Sequence, residues 1–402
     1  MSESELESLY KKAAQVIGKQ GVVPFPASET AIKILKAIIK DDEEELKLVW
    51  AFRRKPSQTM EQLKKATKSL GWSEEKIDEV ARRLAKKGLL FNQPSSSGLM
   101  VYRILPYMAV GLMEYQFMGE LEGTDEEKEL AHLFEQLIYE VRDSVQAGYD
   151  RFVPLFQQAP PIDRTIPTFT SESGEQIRVI PVEETVDVGE EVVLPTQKVE
   201  ELLDKFDDIA VGRCFCRQRR AMLGEPCDTD APMMNCFTFG KSARHTVAQG
   251  FARPVSREEA LKIMREAEAA GLVHKVFHPG SRETAPETSM CNCCKDCCDT
   301  LKLWRDGALP LINSTYHLSV IDPDACSGCG TCVERCPMDA IALNDDGVAE
   351  RDADSCFGCG VCARFCPEGA ISLKEGYRRV FILPPRLRSG AAAAGQPGQL
   401  GS

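Results

Sequence analysis

The sequence predicts a multidomain α+β protein, and three observations lead to this fold class. The chain has 402 residues, more than one hydrophobic core usually serves, so several domains are expected. Residues 28–106 carry the apolar periodicity of successive helices followed by a hairpin. All 17 cysteines lie between Cys214 and Cys366. We therefore expect a winged-helix-like N-terminal domain, a Cys-rich α/β middle domain and a C-terminal domain built on a repeated cysteine motif.

Composition and charge narrow the class of protein. Hydrophobic residues make up 43% of the chain, which excludes a disordered or collagen-like protein. The net charge of −12 argues against nucleic-acid binding over the whole surface, although a local basic patch stays compatible with it. No apolar run approaches the roughly 18 residues of a membrane span, and the start, MSESELESLYKK, lacks the pattern of a signal peptide. We therefore expect a cytoplasmic protein. In the reducing cytoplasm, clustered thiols indicate metal or redox sites and not disulfides.

The first predicted domain covers residues 1–120 and is winged-helix-like. The segments AIKILKAII and IDEVARRLAKKGLL have apolar residues at helical spacing. Thr59 and Gln62 form a capping-box pattern at the start of the second helix, and Ser73 is placed to cap the third. Two β-rich runs around a Pro-Ser-Ser-Ser-Gly turn would form the wing.

The overall charge of this domain suggests DNA binding, but the position of two acidic residues argues against it. Residues 51–90 contain eleven basic and five acidic residues, the electrostatic footprint of a DNA-binding helix-turn-helix. The predicted recognition helix, however, begins with Glu74 and Glu75, where its first turn would meet phosphates or bases. Winged helices also serve as docking modules. Binding of nucleic acid through this domain is therefore the weaker of the two interpretations.

Residues 121–160 are predicted to form a helical connector. Thr124 and Glu127 form a capping box, and the apolar periodicity that follows extends to Gly148. The Pro-rich stretch at 154–175 then suggests a domain boundary.

The middle domain, residues 161–315, contains a helix capped by Ser256 and Glu259, followed by the strand-like segment LVHKVF. It also contains nine cysteines that lie outside the repeated motif. They are Cys214, Cys216, Cys227, Cys236, Cys291, Cys293, Cys294, Cys297 and Cys298.

Three interpretations of these nine cysteines compete. Neighbouring cysteines can hardly bind one small ion together without strain, but they can serve different irons of a cluster or two adjacent sites. The region could hold one or two further iron–sulfur clusters, a structural zinc ion bound by four of the thiols, or a redox-active dithiol or substrate site. We expect that it binds metal in its own right and that segments 214–236 and 291–298 meet in space.

A duplicated motif occupies the C-terminal part of the chain. The pattern Cys-x2-Cys-x2-Cys-x3-Cys-Pro starts at Cys326 and recurs 30 residues later at Cys356, with ten of 18 aligned residues identical. Three cysteines at this spacing surround one face of a cubane cluster, and the fourth lies past a turn and points at the other cluster. The predicted ligand sets therefore cross: Cys326, Cys329, Cys332 and Cys366 for cluster 1, and Cys356, Cys359, Cys362 and Cys336 for cluster 2.

With these motifs, about residues 320–375 resemble the bacterial-type two-[4Fe-4S] ferredoxin family, and we expect the domain at 316–380. The resemblance implies two hairpin-and-helix halves related by a pseudo-twofold axis, and one-electron relay at low potential between two close clusters. The whole chain, with its CxCRxxR and CNCCxxCC segments, looks like the large multi-cluster iron–sulfur proteins of anaerobes. Residues 381–402 form a tail that in part resembles an added linker.

The sequence therefore predicts an iron–sulfur electron-transfer protein, or an electron-relay subunit of an anaerobic oxidoreductase. Single electrons would pass through two [4Fe-4S] clusters to or from a further Cys-rich metal site, which would hold one or two more clusters or zinc. Residues 321–375 have a formal charge of −7, which favours a redox partner with a basic docking face. Two alternatives remain: a redox-sensing winged-helix regulator that binds DNA, and a reductase with its own substrate site at the CNCC region. The sequence identifies no catalytic residue.

Overall fold

A computed structural model describes residues 2–20, 25–95, 97–108, 111–161, 163–181, 198–278 and 286–387. The predicted tail is thus described as far as residue 387, and the rest of it lies outside the described residues.

Within these ranges the helices are long in the N-terminal half and short near the repeated cysteine motif. In chain order they are α1 (Glu3–Gly18), α2 (Glu29–Ile39), α3 (Glu43–Ala51), α4 (Met60–Ala66), α5 (Glu74–Lys86), α6 (Leu112–Met118), α7 (Asp125–Ala147), α8 (Tyr149–Gln157), α9 (Val199–Asp204), α10 (Phe215–Met222), α11 (Lys241–Gln249), α12 (Arg257–Ala269), α13 (Asp299–Arg305), α14 (Thr331–Arg335) and α15 (Val361–Arg364), with a 3-10 turn at Lys68–Leu70.

Most strands follow the predicted connector. They are β1 (Ser57–Thr59), β2 (Leu90–Pro94), β3 (Met100–Ile104), β4 (Asp163–Ile166), β5 (Val179–Ile180), β6 (Ile209–Arg213), β7 (Met234–Phe239), β8 (Arg253–Pro254), β9 (Val273–Phe277), β10 (Ser289–Cys293), β11 (Leu311–Ile321), β12 (Ile341–Leu343), β13 (Ala349–Arg351) and β14 (Ile371–Ile382).

The predicted helix caps are confirmed. Thr59 accepts a hydrogen bond from the backbone of Gln62, whose side chain bonds back to the backbone of Thr59. The side-chain oxygens of Ser73 and Ser256 accept a hydrogen bond from the backbone N–H three residues further on and so cap α5 and α12, and Thr124 caps α7 with its hydroxyl. Each cap satisfies a backbone N–H group that has no partner inside the helix.

The sequence indicated only three helices before the hairpin, and two more are present: α1, and α3 between the first and second predicted helices. Asp42 caps α3 by accepting from the backbone N–H groups of Glu44 and Glu45. Its first turn consists entirely of acidic residues, which suit the positive end of the helix dipole but obscure the apolar period.

The chain divides into two compact units, each discontinuous in sequence. The first comprises residues 1–141, 212–226 and 241–254, and the second comprises residues 142–211, 227–240 and 255–402. Helix caps and apolar periodicity depend only on residues close in sequence, so they do not indicate which distant segments join into one unit. The domain boundaries expected from the sequence therefore remain predictions.

The first unit places a three-stranded antiparallel sheet next to α5, in the strand order β1-β3-β2. Strands β2 and β3 form the predicted hairpin, with Leu90 opposite Ile104. The buried faces of the helices supply the core, which includes Leu35 of α2, Leu48 of α3 and Leu84 of α5.

His245 on α11 is fully buried in the first unit between aromatic rings. Its ring centre lies 4.6 Å from that of Phe91 and 5.8 Å from that of Tyr115. Neither ring nitrogen has a hydrogen-bond partner among the described residues. Burial, helped by the charge of Arg103, lowers the pKa of His245 to about 4.

We expect His245 to make the first unit sensitive to mild acid. An unfolded histidine takes up its proton near pH 6.5, whereas the folded one resists protonation until about pH 4. Stability is therefore lost as pH falls through this window, by about 3 kcal/mol in the free energy of unfolding. Urea unfolding at pH 7.5, 5.5 and 4.5 measures the loss. The variant His245→Leu should lose less, and equal losses in both proteins would contradict the assignment.

The second unit is organised by one mixed sheet. Its strands follow the order β5-β14-β11-β4-β9-β10-β7-β6, and the first three residues of β6 belong to this unit. Helices α9 and α12 pack on one face, where Ile166, Phe237 and Met290 are buried. Residues that pair across neighbouring strands lie on the same face of a sheet, and so do residues two apart along one strand. By this rule Asp163, Lys275 and Cys293 all lie on the opposite face.

Two of these strands continue into the region of the duplicated motif. Strands β11 and β14 pair antiparallel from Leu311 opposite Ile382 to Ile321 opposite Ile371. The first cysteine motif follows the end of β11, and the second immediately precedes β14. A small hairpin, β12 with β13, lies between the two motifs. The motif region is thus anchored at both ends in the sheet of the second unit.

Candidate metal centres

The duplicated motif lines two separate cavities. The first lies at the end of β11, near Gly328 and Gly330 and the start of α14. Three of its cysteines come from the first motif and one from the second. These four are Cys326, Cys329, Cys332 and Cys366.

The second cavity has the complementary composition. It lies between Ser319 of β11, Phe357 and the start of α15. Three of its cysteines come from the second motif and one from the first. These four are Cys356, Cys359, Cys362 and Cys336.

Backbone amides are directed at the sulfurs in both cavities. The N–H of Ala349 donates to Cys326 Sγ at 3.5 Å, and the N–H of Ala340 donates to Cys336 Sγ at 3.3 Å. Such hydrogen bonds stabilise a thiolate and tune the potential of a cluster that it binds. The donor set of four thiols with amide support fits an iron–sulfur cluster in each cavity.

The two cavities differ in exposure, although their sequences are similar. Cys329 is exposed, and hydrogen bonding with Thr331 lowers the pKa of its thiol. The corresponding Cys359 is partly buried, and burial raises the pKa of its thiol well above the usual value. The backbone of Cys359 also accepts a hydrogen bond from the N–H of Thr168 at 3.0 Å. The second cavity therefore lies deeper in the unit than the first.

The nine other cysteines are divided between the two units. Cys214 and Cys216 belong to the first unit, at the start of α10. In the second unit, Cys227, Cys294 and Cys297 converge, with their sulfurs all within 4.8 Å of one another. Cys227 thus meets the 291–298 segment as the sequence predicted. Hydrogen bonding with Cys297 lowers the pKa of the Cys294 thiol to about 6.

The remaining cysteines of the second unit lie on the other side of the 291–298 segment. Cys293 and Cys298 are buried in the same apolar cluster as Cys336 and Cys362, and Cys291 packs against it. Cys236 on β7 shares the face of Thr238, the partner of Ser289, and hence the face of Cys291. A hydrogen bond with Cys298, together with burial, raises the pKa of the Cys293 thiol well above the usual value.

A buried ion pair on this face was not predicted from the sequence. Lys275 Nζ lies 2.7 Å from Asp163 Oδ2, and both side chains are almost completely buried. The ammonium also lies 5.6 Å from the ring centre of Phe357, which lines the second cavity. Burial is the largest single effect and would lower the pKa of Lys275, but the charge of Asp163, the nearby Cys293 and Cys298 and the hydrogen bond to Asp163 together raise that pKa. The segment LVHKVF was correctly predicted as a strand. The alternation of its side chains, however, does not reveal that Lys275 has a partner on a strand distant in sequence.

Comparison with known proteins places the C-terminal region in a known class. A family model described as a 4Fe-4S dicluster domain matches residues 319–373. These residues contain all eight cysteines of the two cavities. The C-terminal part of the chain is therefore a ferredoxin-like iron–sulfur domain, and its class of chemistry is iron–sulfur electron transfer.

Two curated relatives match this region. A "Probable ferredoxin" of Methanosarcina thermophila is 56% identical over 32 residues, 8% of this chain and 55% of that protein. A "Ferredoxin-type protein NapF" of Haemophilus influenzae is 42% identical over 60 residues, 14% of this chain and 29% of that protein. The chain thus spans about half of the first relative and less than a third of the second. No solved structure matches the chain. Among the described helices, none has the length and apolar character of a membrane span.

Proposed function

We propose that this protein relays single electrons between a protein partner and the interior of its second unit, through two [4Fe-4S] clusters. Cluster 1 would be held by the four cysteines of the first cavity and cluster 2 by those of the second. The observation that carries the proposal is the composition of the cavities, each with three cysteines of one motif and the fourth of the other. Bound clusters supply one-electron chemistry, and the protein fixes their ligands, amide donors and exposure.

The difference in exposure supports the order in which the two clusters would carry electrons between a partner and the interior of the second unit. Cys329 at the first cavity is open to solvent, so a partner can approach cluster 1 closely. Ser319 of β11 lines the second cavity, and Cys293 and Cys298 share its apolar surroundings. Cluster 2 would thus connect cluster 1 with the Cys-rich region.

The charge of the domain supports the kind of partner. Residues 321–375 contain eleven acidic and four basic residues, and a reduced cluster adds negative charge. We infer a redox protein with a basic face, whose association slows as salt rises. A reducing compartment such as the cytoplasm suits a chain with 17 cysteines.

Matched serine variants test the crossed ligand sets. We expect Cys336→Ser to change the electron paramagnetic resonance spectrum in the same way as Cys359→Ser, because both residues line the second cavity. Cys366→Ser should instead match Cys329→Ser, because both line the first. A Cys336→Ser spectrum that matches Cys329→Ser would overturn the assignment. Anaerobic protein with zinc and no iron would overturn the relay itself.

We further propose that α2 to α5 with the β2–β3 hairpin form a winged-helix-type module that docks protein and does not read DNA. At least six of the eleven basic residues in 51–90 form ion pairs with acidic side chains in the part of the chain that the structure describes, which reduces the charge available to phosphates. Lys64 pairs with Glu74 at the start of α5. The six are Lys64, Lys65, Lys76, Arg82, Arg83 and Lys87. Salt-dependent binding of duplex DNA by the purified protein would favour the regulator instead.

A further inference from the structure

The thiols of Cys227, Cys294 and Cys297 are close enough to share one metal ion. Cys227 Sγ lies 3.6 Å from Cys294 Sγ, and Cys294 Sγ lies 3.0 Å from Cys297 Sγ. Tetrahedral coordination of zinc, with Zn–S bonds near 2.3 Å, places thiolates about 3.8 Å apart. The separation between Cys227 and Cys294 is close to this value, and the separation between Cys294 and Cys297 is shorter, so the sulfurs need to move apart only slightly to share an ion.

The same spacing argues against a cubane cluster at these three residues. A cubane binds each thiolate through a different iron, so its cysteines must stand apart around the whole cluster. The eight cysteines of the ferredoxin-like domain are arranged in this way, with four around each of the two cavities. Cys227, Cys294 and Cys297, which we call the Cys227 group, instead have all three sulfurs within 4.8 Å of one another. Soft thiolates at this spacing suit a single Zn²⁺.

The fold explains why the two cysteines of each adjacent Cys-Cys pair lie in different clusters. Cys293 is the last residue of β10 and points to the face that carries Lys275 and Cys291. Cys294 follows the strand end, and it packs with Cys297, Ala267 and Leu272 in a different apolar cluster. In each Cys-Cys pair, therefore, one thiol joins the Cys227 group and the other joins the core next to the ferredoxin-like domain.

An open pocket adjoins the Cys227 group. Cys294 lines it, together with Asp228, Leu272, Lys295, Arg305 and Arg335. Lys295 is held by Asp339 at 2.6 Å, and Arg305 donates to the backbone oxygen of Lys295 at 2.6 Å. Lys295 and Arg305 are thus held at the walls, and Cys294, which is itself almost completely buried, lies at the edge of this open space. Sites with three protein ligands and an open position are those at which zinc binds water or substrate.

We propose that Cys227, Cys294 and Cys297 bind one zinc ion whose fourth coordination position faces this pocket. Water occupies the position at rest, and a small thiol from solution replaces it as thiolate, releasing a proton. Cys293 and Cys298 do not bind this ion. The site does not depend on the electron relay, because its metal is not iron and can be measured separately.

Zinc X-ray absorption on the full chain tests the site without interference from iron. In thiol-free buffer we expect one zinc per chain, with three sulfurs and one oxygen or nitrogen in the first shell. Addition of 2-mercaptoethanol should raise the count to four sulfurs. Four sulfurs before the addition, an unchanged shell after it, or protein with iron but no zinc would overturn the proposal.

Variants of neighbouring residues supply the matched control. Cys294→Ser and Cys297→Ser should each lose the zinc and keep the iron, whereas Cys293→Ser and Cys298→Ser should keep the zinc. Cys227 lies outside the 291–298 segment, and Cys227→Ser should also lose zinc. This variant therefore still tests the zinc site if a variant within the 291–298 segment does not fold. Retention of zinc in Cys227→Ser, or equal loss in all five variants, would contradict the division of the pairs.

Discussion

Replacement of Lys275 by methionine is expected to lower the free energy of unfolding of the second unit by roughly 3–5 kcal/mol. Lys275 and Asp163 are both almost completely buried, so the variant leaves an uncompensated carboxylate inside the sheet. Asp163 retains a hydrogen bond from the side chain of Asn313, which does not neutralise its charge. Denaturation followed by circular dichroism in anaerobic buffer measures the loss.

Lys205 offers a control with the same chemistry at the surface. It lies 3.3 Å from Glu287, but its side chain is 41% exposed and Glu287 also pairs with Arg164. Lys205→Met should therefore cost no more than about 1 kcal/mol. The double variant Lys275→Met with Asp163→Asn should recover part of the loss, because no buried charge remains. If Lys275→Met costs no more than Lys205→Met, the buried pair does not stabilise this face.

The sequence predicted the features that depend on local chemistry. The caps at Thr59, Ser73 and Ser256 and the strand at LVHKVF need only nearby residues, and the structure has them. The ferredoxin-like domain was recognisable because its cysteine spacing is itself local. Helix α3 was missed because its acidic first turn hides the apolar period.

Features that depend on distant pairing could not be read from the sequence. Whether a lysine on a strand is exposed or buried depends on which strand lies beside it, and β9 pairs with β4 across a long interval of chain. The division of the Cys-Cys pairs likewise depends on where β10 ends and on the approach of Cys227. The two cysteine motifs are similar in sequence, yet Cys329 of the first is exposed and the corresponding Cys359 of the second is partly buried.

This asymmetry leads to a sharp expectation for two equivalent glycines. Gly330 and Gly360 precede α14 and α15, and both have a φ of +77°. A Cβ at Gly330 would have no atom within 4 Å among the described residues, whereas at Gly360 it would lie 2.5 Å from the backbone oxygen of Thr168. Gly330→Ala should therefore cost only the roughly 1–2 kcal/mol of the left-handed conformation.

Gly360→Ala should cost roughly 1–3 kcal/mol more in the free energy of unfolding, because the backbone of Thr168 must move. Thr168 also donates its N–H to the Cys359 oxygen, so the shift would displace a cysteine of the second cavity. We expect this variant to lose iron from the cluster that Cys359→Ser disturbs, while Gly330→Ala keeps both clusters. Iron content, electron paramagnetic resonance spectra and denaturation of the two alanine variants provide the measurement. Equal effects at the two glycines would mean that the second motif is no more tightly packed than the first, and the proposed order of the relay, from an exposed cluster to a buried one, would lose its structural basis.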